Sequence, residues 1–127
     1  MNDIRILYIE DDPSNRLLVR RILEVEGYSI MEATDGQTGL EMAAQMRPDL
    51  ILLDINLPEM DGYDLAERFS EMPELRQVPI LALTANVMKG DRERTLEAGC
   101  DGYIQKPIDV DRLPKQVEEA LRKNKVL

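Results

Sequence analysis

Five short apolar runs alternating with five longer helical patterns predict an α/β domain on a parallel sheet, because parallel strands need a crossover to return the chain. Three of the runs are almost wholly apolar, as strands covered on both faces must be; the other two are mixed and belong at the edges. A length of 127 residues suits one domain, and 43% apolar with 32% charged residues suits a globular chain. No linker-like composition divides the sequence, so 1–127 is expected to be a single domain with its core at about 4–122.

The first strand, Ile4 to Ile9, leads to Asp12-Pro13, an N-cap and a first-turn proline. The helix they start is expected to turn Leu18, Ile22 and Val25 inward and to end at Gly27. The second strand, Tyr28 to Ala33, is mixed and reads as an edge. Helix two, from about Asp35 to Met46, should bury Leu40, Ala43 and Ala44 and stop at Pro48. The third strand, Leu50 to Leu53, precedes a short helix from about Gly62 that buries Leu65 and Phe69. The fourth strand is Ile80 to Leu83. Helix four, Val87 to Ala98, offers only Val87, Met88, Leu96 and Ala98 as apolar anchors among Lys89, Asp91, Arg92, Glu93, Arg94 and Glu97, and Gly90 weakens its first half. The fifth strand, Gly102 to Gln105, is the second mixed edge. The last helix begins near Asp109 or Asp111, since Pro114 is tolerated only in a first turn, and packs Leu113, Val117 and Leu121. Edges at strands two and five give a flavodoxin-like (βα)5 three-layer sandwich of strand order 2-1-3-4-5. Its ligand crevice lies at the carboxyl ends of strands one, three and four.

Composition excludes several kinds of chemistry. Sixteen Lys and Arg against 25 Asp and Glu leave a formal charge of −9, which repels phosphate backbones, so no direct nucleic-acid partner is expected. With no histidine, imidazole acid/base chemistry and histidine metal ligands are absent. The one cysteine, Cys100, can form neither an internal disulfide nor a thiolate cluster and reads as a small buried residue between a helix and a strand. Neither a leader pattern nor a membrane-spanning run is present, so no membrane partner is expected and the location is expected to be cytoplasmic.

Carboxylates instead gather at the predicted crevice. Glu10, Asp11 and Asp12 follow the first strand, and Asp54 ends the third, where an otherwise apolar strand gives no packing reason for an acid. Such a concentration of negative charge needs a cation or retained protons. Hard oxygen ligands without His or Cys select Mg²⁺. Thr84 follows the fourth strand and Lys106 the fifth, adding a hydroxyl and an ammonium at the same edge. A carboxylate nucleophile, metal ligands, a hydroxyl and a cation make a phosphoryl-transfer site. A calcium loop starting at Asp54 fails at Pro58 and Glu59, and no glycine-rich phosphate loop follows any strand. An aspartyl phosphohydrolase would place its nucleophile after the first strand.

Four segments carry a resemblance to response-regulator receiver domains over nearly the whole chain: Ile6 to Asp12, Pro48 to Gly62, Leu83-Thr84-Ala85 and Gly102 to Pro107. The resemblance implies that Asp54 accepts a phosphoryl group from a phosphohistidine on a histidine kinase or histidine phosphotransfer protein. It implies Mg²⁺ held by Glu10, Asp11 and Asp54 with the backbone carbonyl of Asn56, Glu10 standing where an Asp is usual. Thr84 matches the switch hydroxyl, Tyr103 the aromatic that reorients with it, and Lys106 the amine that pairs with the phosphoryl oxygens, beside a peptide bond to Pro107 that is usually cis. Asn56 and Asn86 match positions that tune the lifetime of the acyl phosphate, implying minutes rather than days. The stretch from Met88 to Tyr103 is similar to single-domain receivers of the DivK cell-cycle type and to receivers of hybrid kinases. Only Lys123 to Leu127 follow the last helix, so no effector domain is expected, and output would pass by protein contact at the face of helix four, strand five and helix five. Such a protein is a switch rather than an enzyme. The rival expectation is a receiver-shaped binding module that works without phosphorylation, against which the complete set of Asp54, Thr84 and Lys106 argues.

Overall fold

The computed structural model describes residues 3–85 and 89–124, with side chains described from 93 onward in the second stretch. Strands β1 (Arg5–Ile9), β2 (Ser29–Ala33), β3 (Leu50–Asp54), β4 (Ile80–Thr84) and β5 (Gly102–Gln105) form one sheet. All pairings are parallel and the order is β2-β1-β3-β4-β5, as the mixed edge strands predict. Five helices alternate with them: α1 (Pro13–Val25), α2 (Gly36–Met46), α3 (Gly62–Glu71), α4 (Lys89–Glu97) and α5 (Arg112–Lys123), with a 3₁₀ turn at Pro73–Leu75.

The central strands β1, β3 and β4 are buried almost end to end, which their continuous apolar sequences allow. Their alternating side chains feed two cores. Ile6, Tyr8, Leu52 and Leu83 meet Val19 and Leu23 of α1 and Leu113, Val117 and Leu121 of α5. On the opposite face, Leu7, Ile9, Ile51 and Leu53 meet Ala43 of α2 and Leu65, Ala66 and Phe69 of α3. Capping follows the sequence closely. Asp12 accepts from the Ser14 N–H at 2.9 Å, Asp35 from Thr38 at 2.8 Å and Asp61 from Tyr63 at 2.9 Å. Gly27, at φ 93°, takes the left-handed conformation just beyond α1.

Three expected packing faces are corrected. In α1 the buried residues are Val19 and Leu23, while Ile22 is half-buried and Leu18 and Val25 are 39% and 83% exposed. Apolar residues at 17, 18, 19, 22, 23 and 25 leave the phase of a 3.6-residue period ambiguous in the sequence. In α2 the inward face is Gly36, Gly39 and Ala43, with Leu40 half-buried and Ala44 exposed. A Cβ at Gly39 would lie 2.7 Å from Ile9 Cδ1, so a larger side chain there would have to displace the buried Ile9 side chain. In α4, Leu96 is 55% exposed rather than an anchor; among the described residues Thr95 is buried in the helix, and the expected anchor Ala98 is buried just beyond its end. Asn86, Val87 and Met88 lie outside the described residues.

Candidate functional site

The carboxyl ends of β1, β3, β4 and β5 bring the charged residues together. Glu10 and Asp54 are buried, at 1% and 2% exposure, so neither is an ordinary surface acid. Strand β5 ends beside β4, where the Lys106 N–H donates to the Thr84 carbonyl at 2.8 Å. That bond turns the Lys106 side chain into the crevice. Its Nζ lies 3.1 Å from Asp54 Oδ1 and 3.2 Å from Glu10 Oε1, bridging two acids that would otherwise repel. Burial opposes the ammonium charge, yet Asp54 and Glu10 outweigh it and hold the Lys106 pKa above its ordinary value. Burial, then hydrogen bonding and charge from Asp54, push the Glu10 carboxyl up to about 7 against the pull of Lys106.

Glu10 is held from several elements at once. Its Oε1 accepts from the Tyr8 hydroxyl at 3.1 Å and from Asn15 Nδ2 at 3.2 Å, in addition to Lys106. Its Oε2 accepts a longer bond, 3.4 Å, from the Asp12 N–H, and its backbone carbonyl accepts from Arg16 Nη1 at 2.9 Å. Asp54 Oδ1 accepts from the Asn56 N–H at 3.0 Å, which fixes the start of the β3–α3 turn. The turn closes on Gly62, whose N–H donates to the Ile55 carbonyl at 3.1 Å. A Cβ at 62 would run into Ile55 Cα and lie 2.7 Å from its carbonyl oxygen.

Glu10, Asp11 and Asp54 each offer a carboxylate oxygen, and the three atoms lie within 4.8 Å of one another. Two of these acids are buried and Asp11 is exposed, leaving one side of the group open to water and ligands. A compact, all-oxygen set with access for water fits Mg²⁺, which keeps several of its waters. Asp12, the third acid of the run, serves as the α1 N-cap. Thr84 is buried at the end of β4, Tyr103 is half-buried in β5 against the core beneath α2 and α3, and the Lys106–Pro107 bond is cis. The contacts thus join Glu10, Asp11, Asp54, Asn56 and Lys106, while Thr84 ends the strand beside Asp54 and Tyr103 lies in β5. Sequence reasoning missed Tyr8 and Asn15: Tyr8 passes for one more apolar residue of a buried strand, although a phenol two positions before an acid shares its face of the sheet. It also missed Arg94, whose Nη2 lies 3.0 Å from Asp61 Oδ2 and whose guanidinium carbon sits 4.2 Å from the centre of the Tyr63 ring.

The comparisons agree with this geometry. The model of the response regulator receiver domain matches residues 6–118. The chain is 40% identical over 116 residues to the polar-differentiation response regulator DivK of Brucella anthropi, covering 91% of this chain and 94% of that one. Among solved structures, the chemotaxis response regulator CheY4 of Vibrio cholerae superposes with a TM-score of 0.89 at 27% identity, over 94% of this chain and 99% of that one. The receiver domain of a Pseudomonas aeruginosa sensor histidine kinase, solved with a magnesium ion coordinated in its active-site cleft, gives 0.86 at 35% identity over 94% and 98%. Among the described residues no helix is long and apolar enough to cross a membrane. With the strand order, the acidic group at its crevice and a family match spanning most of its length, the chain belongs to the response regulator receiver domains, of the type of CheY and DivK.

Proposed function

We propose that Asp54 is a phosphoacceptor, taking a phosphoryl group from a phosphohistidine of a histidine kinase or histidine phosphotransfer protein. The observation that carries this reading is the Lys106 ammonium held 3.1 Å from a buried carboxylate at the topological switch point of the sheet. An Asp54 oxygen attacks phosphorus; the new O–P bond forms as the N–P bond breaks, and the departing imidazole takes a proton from solvent. Bound Mg²⁺ supplies charge neutralisation for the phosphoryl oxygens, with Glu10, Asp11, Asp54 and the Asn56 carbonyl as its protein ligands. Lys106 turns from its two carboxylates to the phosphoryl oxygens, and the Thr84 hydroxyl donates to one of them. Tyr103 then turns inward, and the altered α4, β5 and α5 face is read by a downstream protein. The chain acts as a cytoplasmic switch that promotes its own phosphorylation and dephosphorylation rather than as a turnover enzyme.

Intact-mass measurement after exposure to a small phosphodonor tests this. One phosphoryl group should add in the presence of Mg²⁺, much less should add with chelator, and Asp54→Asn should take none. An Asp54→Asn protein that labels like the wild type would show the acceptor to be elsewhere. A wild type that never labels would favour a receiver-shaped module that binds without phosphorylation.

A further inference from the structure

A glutamate at position 10 has one more rotatable bond than an aspartate, so its carboxylate needs more fixing to act as a ligand. The donors around it supply that. Tyr8 is completely buried in β1, two residues before Glu10 and therefore on the same face of the sheet, and its hydroxyl reaches Oε1 at 3.1 Å. Asn15, in the first turn of α1, reaches the same oxygen at 3.2 Å from a second element. In this pair the phenol O–H donates and the carboxylate oxygen accepts. Lys106 is the third donor to Oε1, and Lys106 is the one that phosphoryl transfer would draw away.

We infer that Tyr8 and Asn15 are positioning residues that hold the Glu10 carboxylate in place through Oε1, so that it is set to serve as a metal ligand while Lys106 stays releasable. With both in place, departure of the ammonium removes one of three donors from a buried oxygen. Without Tyr8, the same departure leaves Glu10 with a single side-chain donor, and the carboxylate has a reason to retain Lys106. The inference rests on the proposed function for its second part only; the first concerns metal binding and stands apart from phosphorylation.

Calorimetric titration of the full chain with Mg²⁺ tests the first part. Tyr8→Phe keeps the ring in its core and removes only the oxygen, and Asn15→Ala removes the other donor from a position that is only half-buried. Each should weaken Mg²⁺ binding roughly tenfold, the usual cost of losing a partner that orients a metal ligand. Tyr28→Phe, a hydroxyl removed at the edge of the same core, should leave the affinity unchanged. Labelling by the small phosphodonor at saturating Mg²⁺ reads the second part, and should be slower in Tyr8→Phe than in wild type. Should Tyr8→Phe fail to fold, Asn15→Ala carries the same test. If the folded variants bind Mg²⁺ as tightly as wild type, the inference is overturned while the phosphoacceptor reading stands. A wild type that binds no Mg²⁺ overturns both, and one that binds Mg²⁺ normally but takes no phosphoryl group overturns the proposed function and the Lys106 step while leaving the metal-ligand role to be decided by the affinities.

Discussion

Helices α4 and α5 flank the same edge strand and are held there by different forces. Helix α5 presents Leu113, Val117, Ala120 and Leu121 to the core formed by β1, β3 and β4, so its attachment is apolar and continuous with folding. Of the described side chains of α4, only Thr95 is buried, and Glu93, Arg94, Leu96 and Glu97 face water. Its specific tether is polar: Arg94 pairs with Asp61 and lies over the Tyr63 ring, both at the start of α3. Polar contacts at a surface are weak and re-formable, whereas apolar packing resists displacement. Among the described side chains, α4 therefore has less apolar packing to lose on displacement than α5.

The largest expected difference comes from truncating one leucine on each helix. Leu121→Ala should lower unfolding free energy by about 2–5 kcal/mol, the range for opening a cavity in a packed core. Leu96→Ala, on an exposed position, should stay within about 0.5 kcal/mol of wild type. Urea unfolding followed by circular dichroism gives both values. Similar losses from the two would mean that α4 is packed as firmly as α5, and the contrast would be gone.

A smaller effect is expected in the turn that joins the site to the α4 tether. Gly62 starts α3 next to its cap Asp61, and a methyl group there meets the Ile55 backbone, which cannot move without shifting Asp54. Gly62→Ala should cost about 1–3 kcal/mol, as overpacking against a fixed neighbour does. It should also slow Mg²⁺-dependent labelling. Loss of stability with unchanged labelling would show that the turn supports the fold without positioning Asp54.

How much of this was legible in the sequence depends on range. The sheet order follows from which runs are mixed, and the acidic group follows from strand ends, because both are properties of short segments. The faces of α1 and α2 were misread because Leu17, Leu18 and Val19 are all apolar and because Gly39 carries the close contact of α2 with β1. The Arg94–Asp61 pair spans 33 residues, and neither partner differs locally from an ordinary solvated charge. Tyr8 illustrates the remaining case: its hydroxyl has meaning only once Glu10 is known to be buried above it.

The finest difference concerns the tether itself, and Cys100 can report on it. This single cysteine sits just beyond α4, buried at 5% exposure, with its N–H donating to the Thr95 carbonyl at 3.2 Å. Burial, reinforced by Asp101, pushes the thiol up to about 12, so in the closed state it is neutral as well as hidden. Reaction with a thiol reagent therefore waits for the end of α4 to open. Arg94→Ala removes an exposed ion pair and a ring contact and should change global stability by less than about 1 kcal/mol. It should nevertheless raise the Cys100 labelling rate several-fold under conditions where the protein remains folded, because that ion pair and that ring contact join the described part of α4 to α3. Arg122→Ala, which breaks the exposed pair of α5 with Glu118, should leave that rate unchanged. Equal rates in wild type and Arg94→Ala would place the attachment of α4 in its buried Thr95 and in Ala98 just beyond its end instead, and α4 would then resist displacement as α5 does.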